Sequence, residues 1–188
     1  KEGVYVQDKE ECLYIYELIM DGRSQNGIVA CASVDDYMEG RIRKHELTRP
    51  DKETDRKNHV RVSTMNAEPV FFAYPANKEL DNIVEAIKQG KPVYSFLADD
   101  NIQHRFWVVQ QPDQIQSIIK AFEKMPATYV ADGHHRTAAA ALVGNDLRKG
   151  GLAPPRRPRP GVVALRGHLR RASPRRPAEG VRGRGRGA

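Results

Sequence analysis

A β-favouring run, Ala127-Thr128-Tyr129-Val130-Ala131, ends at Asp132-Gly133 and opens directly into His134-His135-Arg136-Thr137 and four alanines. That order leaves the backbone few choices. The run reads as a strand, Asp-Gly lets the chain turn sharply, and a helix follows from about His134. A helix beginning there presents unpaired N–H groups and the positive end of its dipole, so its mouth suits an anion. Arg136 adds a planar fork matched to phosphate, and His134 and His135 add donors or a group titrating near neutral pH. The same residues allow a plainer account, in which Asp132 caps the helix, Gly133 eases the turn and both histidines sit solvated in the first turn. Adjacent histidines point about 100° apart on a helix, so they do not chelate one metal from a single face, and no metal site is expected.

The strand and helix belong to a chain of two unlike parts. Residues 150–188 hold eleven Arg and one Glu, a net of +10 that leaves −3 for residues 1–149 out of the chain's +7. The sequence pI near 9.5 is therefore a property of the tail, and the globular part alone does not argue for nucleic acid. The tail has no aromatic residue and repeats Arg-Pro and Arg-Gly pairs, as in Arg182-Gly183-Arg184-Gly185-Arg186-Gly187. Such a segment cannot build a core; it is expected to be disordered, and an RNA-binding tail or a frame-shifted gene end are the two accounts of it. With 29% charged residues and a mean hydropathy of −0.64, the remaining core is modest. Cys12 and Cys31 have neither zinc nor Cys-x-x-Cys spacing, which points to a reducing, cytoplasmic setting. No apolar run approaches the length of a membrane span. The charged opening, Lys1 to Glu11, lacks a start methionine, so an upstream portion of the fold is expected to be missing.

A second polar cluster lies about eighty residues before Gly133. In Arg43-Lys44-His45-Glu46-Leu47-Thr48-Arg49-Pro50-Asp51-Lys52-Glu53-Thr54-Asp55-Arg56, Thr48 and Pro50 read as the start of a helix from Pro50 to about Asn58. Glu53 with Lys57, and Lys52 with Arg56, stack four apart, so a salt-laced exposed face accounts for much of the charge. Against that stand His45, Glu46 and Arg49, a base, an acid and a cation beside the positive end of the helix. They are not a zinc-protease signature, because Arg49 occupies the place of the second histidine.

Cys12 to Met20 and Ile28 to Ala32 read as a hairpin punctuated by Asp21-Gly22 and Asn26-Gly27, and Pro69 to Tyr74 as a short buried strand. Lys78 to Gln89 and Gln114 to Lys124 carry apolar stripes at helical spacing. Val93 to Leu97 and Arg105 to Val109 form strands around Asp99-Asp100-Asn101, whose carboxylates are read as turn residues ahead of a Mg²⁺ site. The order β-β-α-β-α-β-β-α-β-α implies an α/β domain over residues 1–149, a mixed sheet with flanking helices and the Gly133 loop at a strand's carboxyl end.

Gly133-His134-His135-Arg136 resembles the Gly-x-x-Arg nucleotide-binding box of the ParB/sulfiredoxin superfamily, and Asp-Gly-His-His-Arg is similar to the form in its free-serine kinases. Together with the Arg43–Arg56 stretch it resembles more closely a bacterial family known as domain of unknown function 1015, over residues 1 to about 148. The chain departs from sulfiredoxin itself, with His134 where that protein carries its catalytic cysteine, so thiol chemistry is not implied. The resemblance implies a fragment of a longer protein with a ParB/sulfiredoxin-like phosphate loop. It implies a nucleotide, ATP or ADP, with or without Mg²⁺, and phosphoryl transfer to or hydrolysis from a small molecule, with serine or phosphoserine suggested. In that reading Asp132, Gly133, His134, His135, Arg136 and Arg49 hold nucleotide or phosphate. Glu46 is the base, Glu53 and Asp55 are its alternates, and His45 and His134 complete the catalytic candidates. The rivals are a ParB-like nucleotide-gated DNA-binding module, for which no helix-turn-helix is legible, and a non-catalytic nucleotide sensor. Other expected partners are absent: no membrane, and no nucleic acid except through the tail.

Overall fold

A two-residue turn starts the architecture. Asp21 and Gly22 both take positive φ, 51° and 70°, the backbone of a two-residue hairpin turn whose twist matches its strands. The computed structural model describes residues 8–63, 66, 69–151 and 164–165. In chain order the elements are β1 (Leu13–Met20), β2 (Arg23–Val29), α1 (Val34–Met38), β3 (Ile42–Arg43), α2 (Pro50–Ser63) and β4 (Phe71–Ala73). There follow α3 (Lys78–Lys88), β5 (Tyr94–Leu97), β6 (Gln103–Val109), α4 (Pro112–Glu123), β7 (Thr128–Asp132), α5 (His134–Lys149) and β8 (Ala164–Leu165). The chain is an α/β protein, as its sequence order implies. Three elements are additional to that order: α1, β3 and β8 are too short to leave a periodic signal.

Among the described residues the strands form two sheets. The larger runs β5-β6-β1-β2-β8, each pair antiparallel. Asn26-Gly27, a turn dipeptide in the sequence, lies inside β2 opposite Glu17 and Tyr16, because the ladder to β1 satisfies its backbone. One face of this sheet offers Leu13, Ile15, Ile28, Trp107 and Val109 to Leu80 and Val84 of α3 and Ile118 and Ala121 of α4. The side-chain period of two in β1 and the apolar stripes of both helices meet there. The smaller sheet is mixed, with β3 parallel and β4 antiparallel to a central β7. Its residues Ile42, Phe72 and Val130 pack under Tyr37 of α1 and Ala138 and Ala141 of α5. Phe72 and Val130 are almost wholly buried, each worth about 1.5–3 kcal/mol in transfer free energy.

Helix α5 is held from two sides. Gly144 lets α1 approach closely, since a Cβ there would lie 2.8 Å from Val34 Cγ2, and Arg148 pairs with Asp35 at 2.7 Å. On the other side Arg61 of α2 reaches Asp146 at 2.6 Å. Helix α2 extends to Ser63, five residues past the expected Asn58, because α5 gives its second half something to pack on. No described helix is long and apolar enough to cross a membrane. The expectation of a disordered tail falls outside the described residues, apart from Ala164–Leu165, which pair with Gly27 and Ile28 of β2.

Candidate functional site

Strand β7 ends at Asp132, and Gly133 turns the chain with φ 90° and ψ 35°, a left-handed conformation in which a side chain is strained. Space forbids one as well: a Cβ on Gly133 would meet Val70 Cγ1 at 2.9 Å and Arg136 Nη2 at 3.2 Å. Gly133 is the N-cap of α5, and no side chain caps the helix. The plainer account of Asp132 as a cap is thus replaced by another contact. Its Oδ2 accepts from Arg136 Nη2 at 2.9 Å, while Arg136 Nη1 donates to the Pro69 carbonyl, also at 2.9 Å. Arg136 therefore ties the turn to the segment before β4, rather than standing as a free fork above the helix mouth. The carbonyl of Gly133 accepts from the Thr137 hydroxyl at 2.9 Å, which closes the first helical turn.

The second cluster arrives beside the first through β3. Its two residues pair in parallel with Thr128 and Tyr129, so the chain leaving Arg43 runs alongside the strand that leads to Gly133. The rings of His45 and His134 meet edge to face, with centroids 4.3 Å apart and planes at 85°. Glu46 Oε2 lies 3.6 Å from His134 Nδ1, an ion pair whenever that ring is protonated. His134 is 6% exposed, and its Nε2 has no hydrogen-bond partner; the same is true of His135 Nδ1. Burial holds the His134 imidazolium below the ordinary histidine range, and the neighbouring His45 and His135 add to that. The carboxylates of Glu46 and Asp132 pull the other way without reversing it. The product is a neutral imidazole, almost wholly buried, facing an exposed carboxylate at the uncapped end of a helix.

The remaining candidates are placed differently. Glu53 accepts from the Thr48 hydroxyl at 3.0 Å and donates its amide to the Arg49 carbonyl, so it organises the start of α2. Arg49 is exposed at the same helix start. Asp55 is exposed about 200° around α2 from both Glu53 and Lys57, and Lys57 lies 3.8 Å from Asp146 on the α5 side. His45, Glu46 and His134 come together; Asp132, Gly133 and Arg136 form the adjoining turn. Among the described residues no group of three or more His, Cys, Asp or Glu is arranged to hold a metal ion. In the β5–β6 turn Asp100 accepts from the Ile102 amide at 3.1 Å, a turn-forming contact.

Sequence reasoning passed over two features. The Pro69 carbonyl carries no sequence signal, because any residue supplies one. A cavity of about 510 Å³ opens beside the turn between β2, β4, α2 and α5, with Arg136 and Thr137 in its wall. Its lining comes from segments scattered between Val29 and Ala141, which no single stretch of sequence brings together. A family model described as "protein of unknown function (DUF1015)" matches residues 1–161. Searches among curated proteins and among solved structures found no match.

Proposed function

The chain belongs to the DUF1015 family of proteins of unknown function, and we propose that it binds the phosphate of a nucleotide or phosphorylated small molecule at Gly133 and transfers or hydrolyses it. The observation that carries this reading is His134: a buried imidazole with an unpartnered nitrogen at the uncapped N-terminus of α5. Helix N-termini favour anions through their free amides and dipole. A buried ring nitrogen without a partner is costly unless a ligand supplies one.

Each residue then has a task. The first amides of α5 hold the phosphate, and Gly133 keeps the approach to them free of a side chain. His134, neutral at physiological pH, accepts the proton of an attacking hydroxyl or water as the new P–O bond forms and the old one breaks. Glu46, 3.6 Å away, stabilises the imidazolium that results, so geometry favours His134 as the base and Glu46 as its partner. In hydrolysis the leaving alkoxide takes that proton back; with a nucleotide donor the phosphoryl group passes to the hydroxyl, the shortened nucleotide leaves as an anion, and His134 gives its proton to solvent. His45 flanks the ring, and Arg49 is the cation proposed for a second phosphate contact. Arg136 and Asp132 act by fixing the turn. Resemblance suggests serine or phosphoserine, and the free thiols of Cys12 and Cys31 support a cytoplasmic setting.

Calorimetry with inorganic phosphate, ADP and ATP, and phosphate release from phosphoserine, test the proposal. H134Q keeps the ring's bulk roughly and loses the base, so binding is expected to persist while turnover falls by about 10²-fold or more. Turnover unchanged in H134Q removes the base. Binding without turnover in the native chain leaves a nucleotide sensor, and absence of binding overturns the site.

A further inference from the structure

We propose that the 510 Å³ cavity beside the Gly133 turn is a binding site for an amphipathic organic anion, with its apolar body among Val70, Phe72 and Tyr37 and its charge toward Arg56 and His59. The volume falls within the range of small-molecule pockets and equals roughly seventeen waters at liquid density. Valine and alanine side chains, Val29, Val34, Val70 and Ala139 among them, make up much of the inner wall in front of the buried Phe72, so it offers water few hydrogen bonds. The described ionisable groups of the wall favour an anion. Arg56, His59, Arg136, Cys31 and Tyr37 line it, and no aspartate or glutamate does among the described residues.

These polar groups differ in what they already hold. Arg136 is engaged by Asp132 and the Pro69 carbonyl. Arg56 and His59, both exposed and three residues apart on α2, make no side-chain ion pair with a described residue. An anionic head between them therefore meets the Arg56 charge and a hydrogen-bonding His59 ring, while an apolar body displaces water from the inner wall. Their spacing of three residues puts both side chains on one face of the helix. The site stands on the cavity's own lining and does not depend on phosphate chemistry at Gly133; it predicts a ligand with a far larger apolar part than serine.

Cys31 is exposed and lines the same cavity, which supplies a reporter. In a C12S background, the full chain is titrated with anilinonaphthalene sulfonate, an amphipathic aromatic anion, while alkylation of Cys31 by iodoacetamide is timed. The dye is expected to bind and to slow alkylation at least about fivefold, and R56A to weaken it roughly tenfold, as loss of one charged hydrogen bond does. Uncharged anilinonaphthalene is expected to bind more weakly than the sulfonate. The proposal is overturned if no dye binds, if the dye binds without protecting Cys31, or if R56A and the uncharged analogue both bind as tightly as their references. H134Q separates the two sites: it leaves the dye's affinity unchanged, and dye binding that fails in H134Q merges the cavity with the phosphate site.

Discussion

His134 concentrates the chemistry of this chain because burial and charge act on it in opposite directions. Burial depresses its pKa, and Glu46 and Asp132 recover only part of the shift. The unfolded chain, with an ordinary histidine near 6.5, therefore binds a proton before the folded one does. Stability from this group is intact above that value and falls as pH drops through it, until the folded ring is itself protonated. Urea unfolding of wild type and H134Q between pH 5 and 8 is expected to show a gap that shifts against wild type on the acid side. Parallel profiles for the two proteins would remove burial as the controlling effect. His135 sits one position on, and its buried Nδ1 also lacks a partner, so the mouth of α5 holds two imidazoles that the protein itself does not satisfy.

Between elements, β1 and α3 are joined by a buried charge. Glu17 is 3% exposed on the core face of β1, with Ser24 Oγ at 2.6 Å, Lys88 Nζ at 2.9 Å and Arg105 Nη1 at 3.5 Å. Burial pushes the carboxyl upward, but the Ser24 hydrogen bond and the Lys88 and Arg105 charges outweigh it and hold it below the usual carboxylate range. Burial likewise pushes Lys88 down, and Glu17 and Glu85 more than restore it. The pair therefore stabilises the fold above the ordinary glutamate value, near 4.3, and below the ordinary lysine value, near 10.4. That contribution disappears as acid passes the lowered carboxyl pKa or as alkali passes the raised amine pKa. E17A leaves the Lys88 ammonium with Glu85 alone, at 3.1 Å, and is expected to cost about 1–3 kcal/mol in urea unfolding, whereas E17M combined with K88M recovers most of it. A loss below about 1 kcal/mol for E17A would mean that solvent reaches the pair.

Across the whole molecule, charge separates the α/β body from the Arg-rich tail. The family match runs through residue 161, past the Lys149 boundary, and Ala164–Leu165 add a two-residue strand at the β2 edge. Ending the chain after Lys149 removes that strand but no member of either core. The melting temperature is expected to change by less than the 2–4 °C that about 1 kcal/mol produces in a protein of this size. A larger drop would make the edge pairing of β8 part of the body's stability.

The β5–β6 hairpin, the Asp21-Gly22 turn, the amphipathic α3 and α4, and the strand-turn-helix around Gly133 were legible in the sequence because each rests on local chemistry; β2, expected at Ile28 to Ala32, instead runs Arg23–Val29. Asp-Gly turns need positive φ, apolar stripes need period 3.6, and an alanine run needs a start. Residues in the two polar stretches stood out for the same reason. What brought His45 and Glu46 to His134 was β3, two residues whose pairing with β7 spans more than eighty positions and has no periodicity to read. The tertiary structure also drew Arg136 to the Pro69 carbonyl, while two local contacts took a form other than the one expected: Asp132 pairs with Arg136 instead of capping the helix, and Glu53 accepts from Thr48. Local sequence determined which backbone could turn and which faces had to be buried; the division into two sheets, the meeting of the polar clusters and the cavity beside them followed from long-range pairing, which no single stretch encodes.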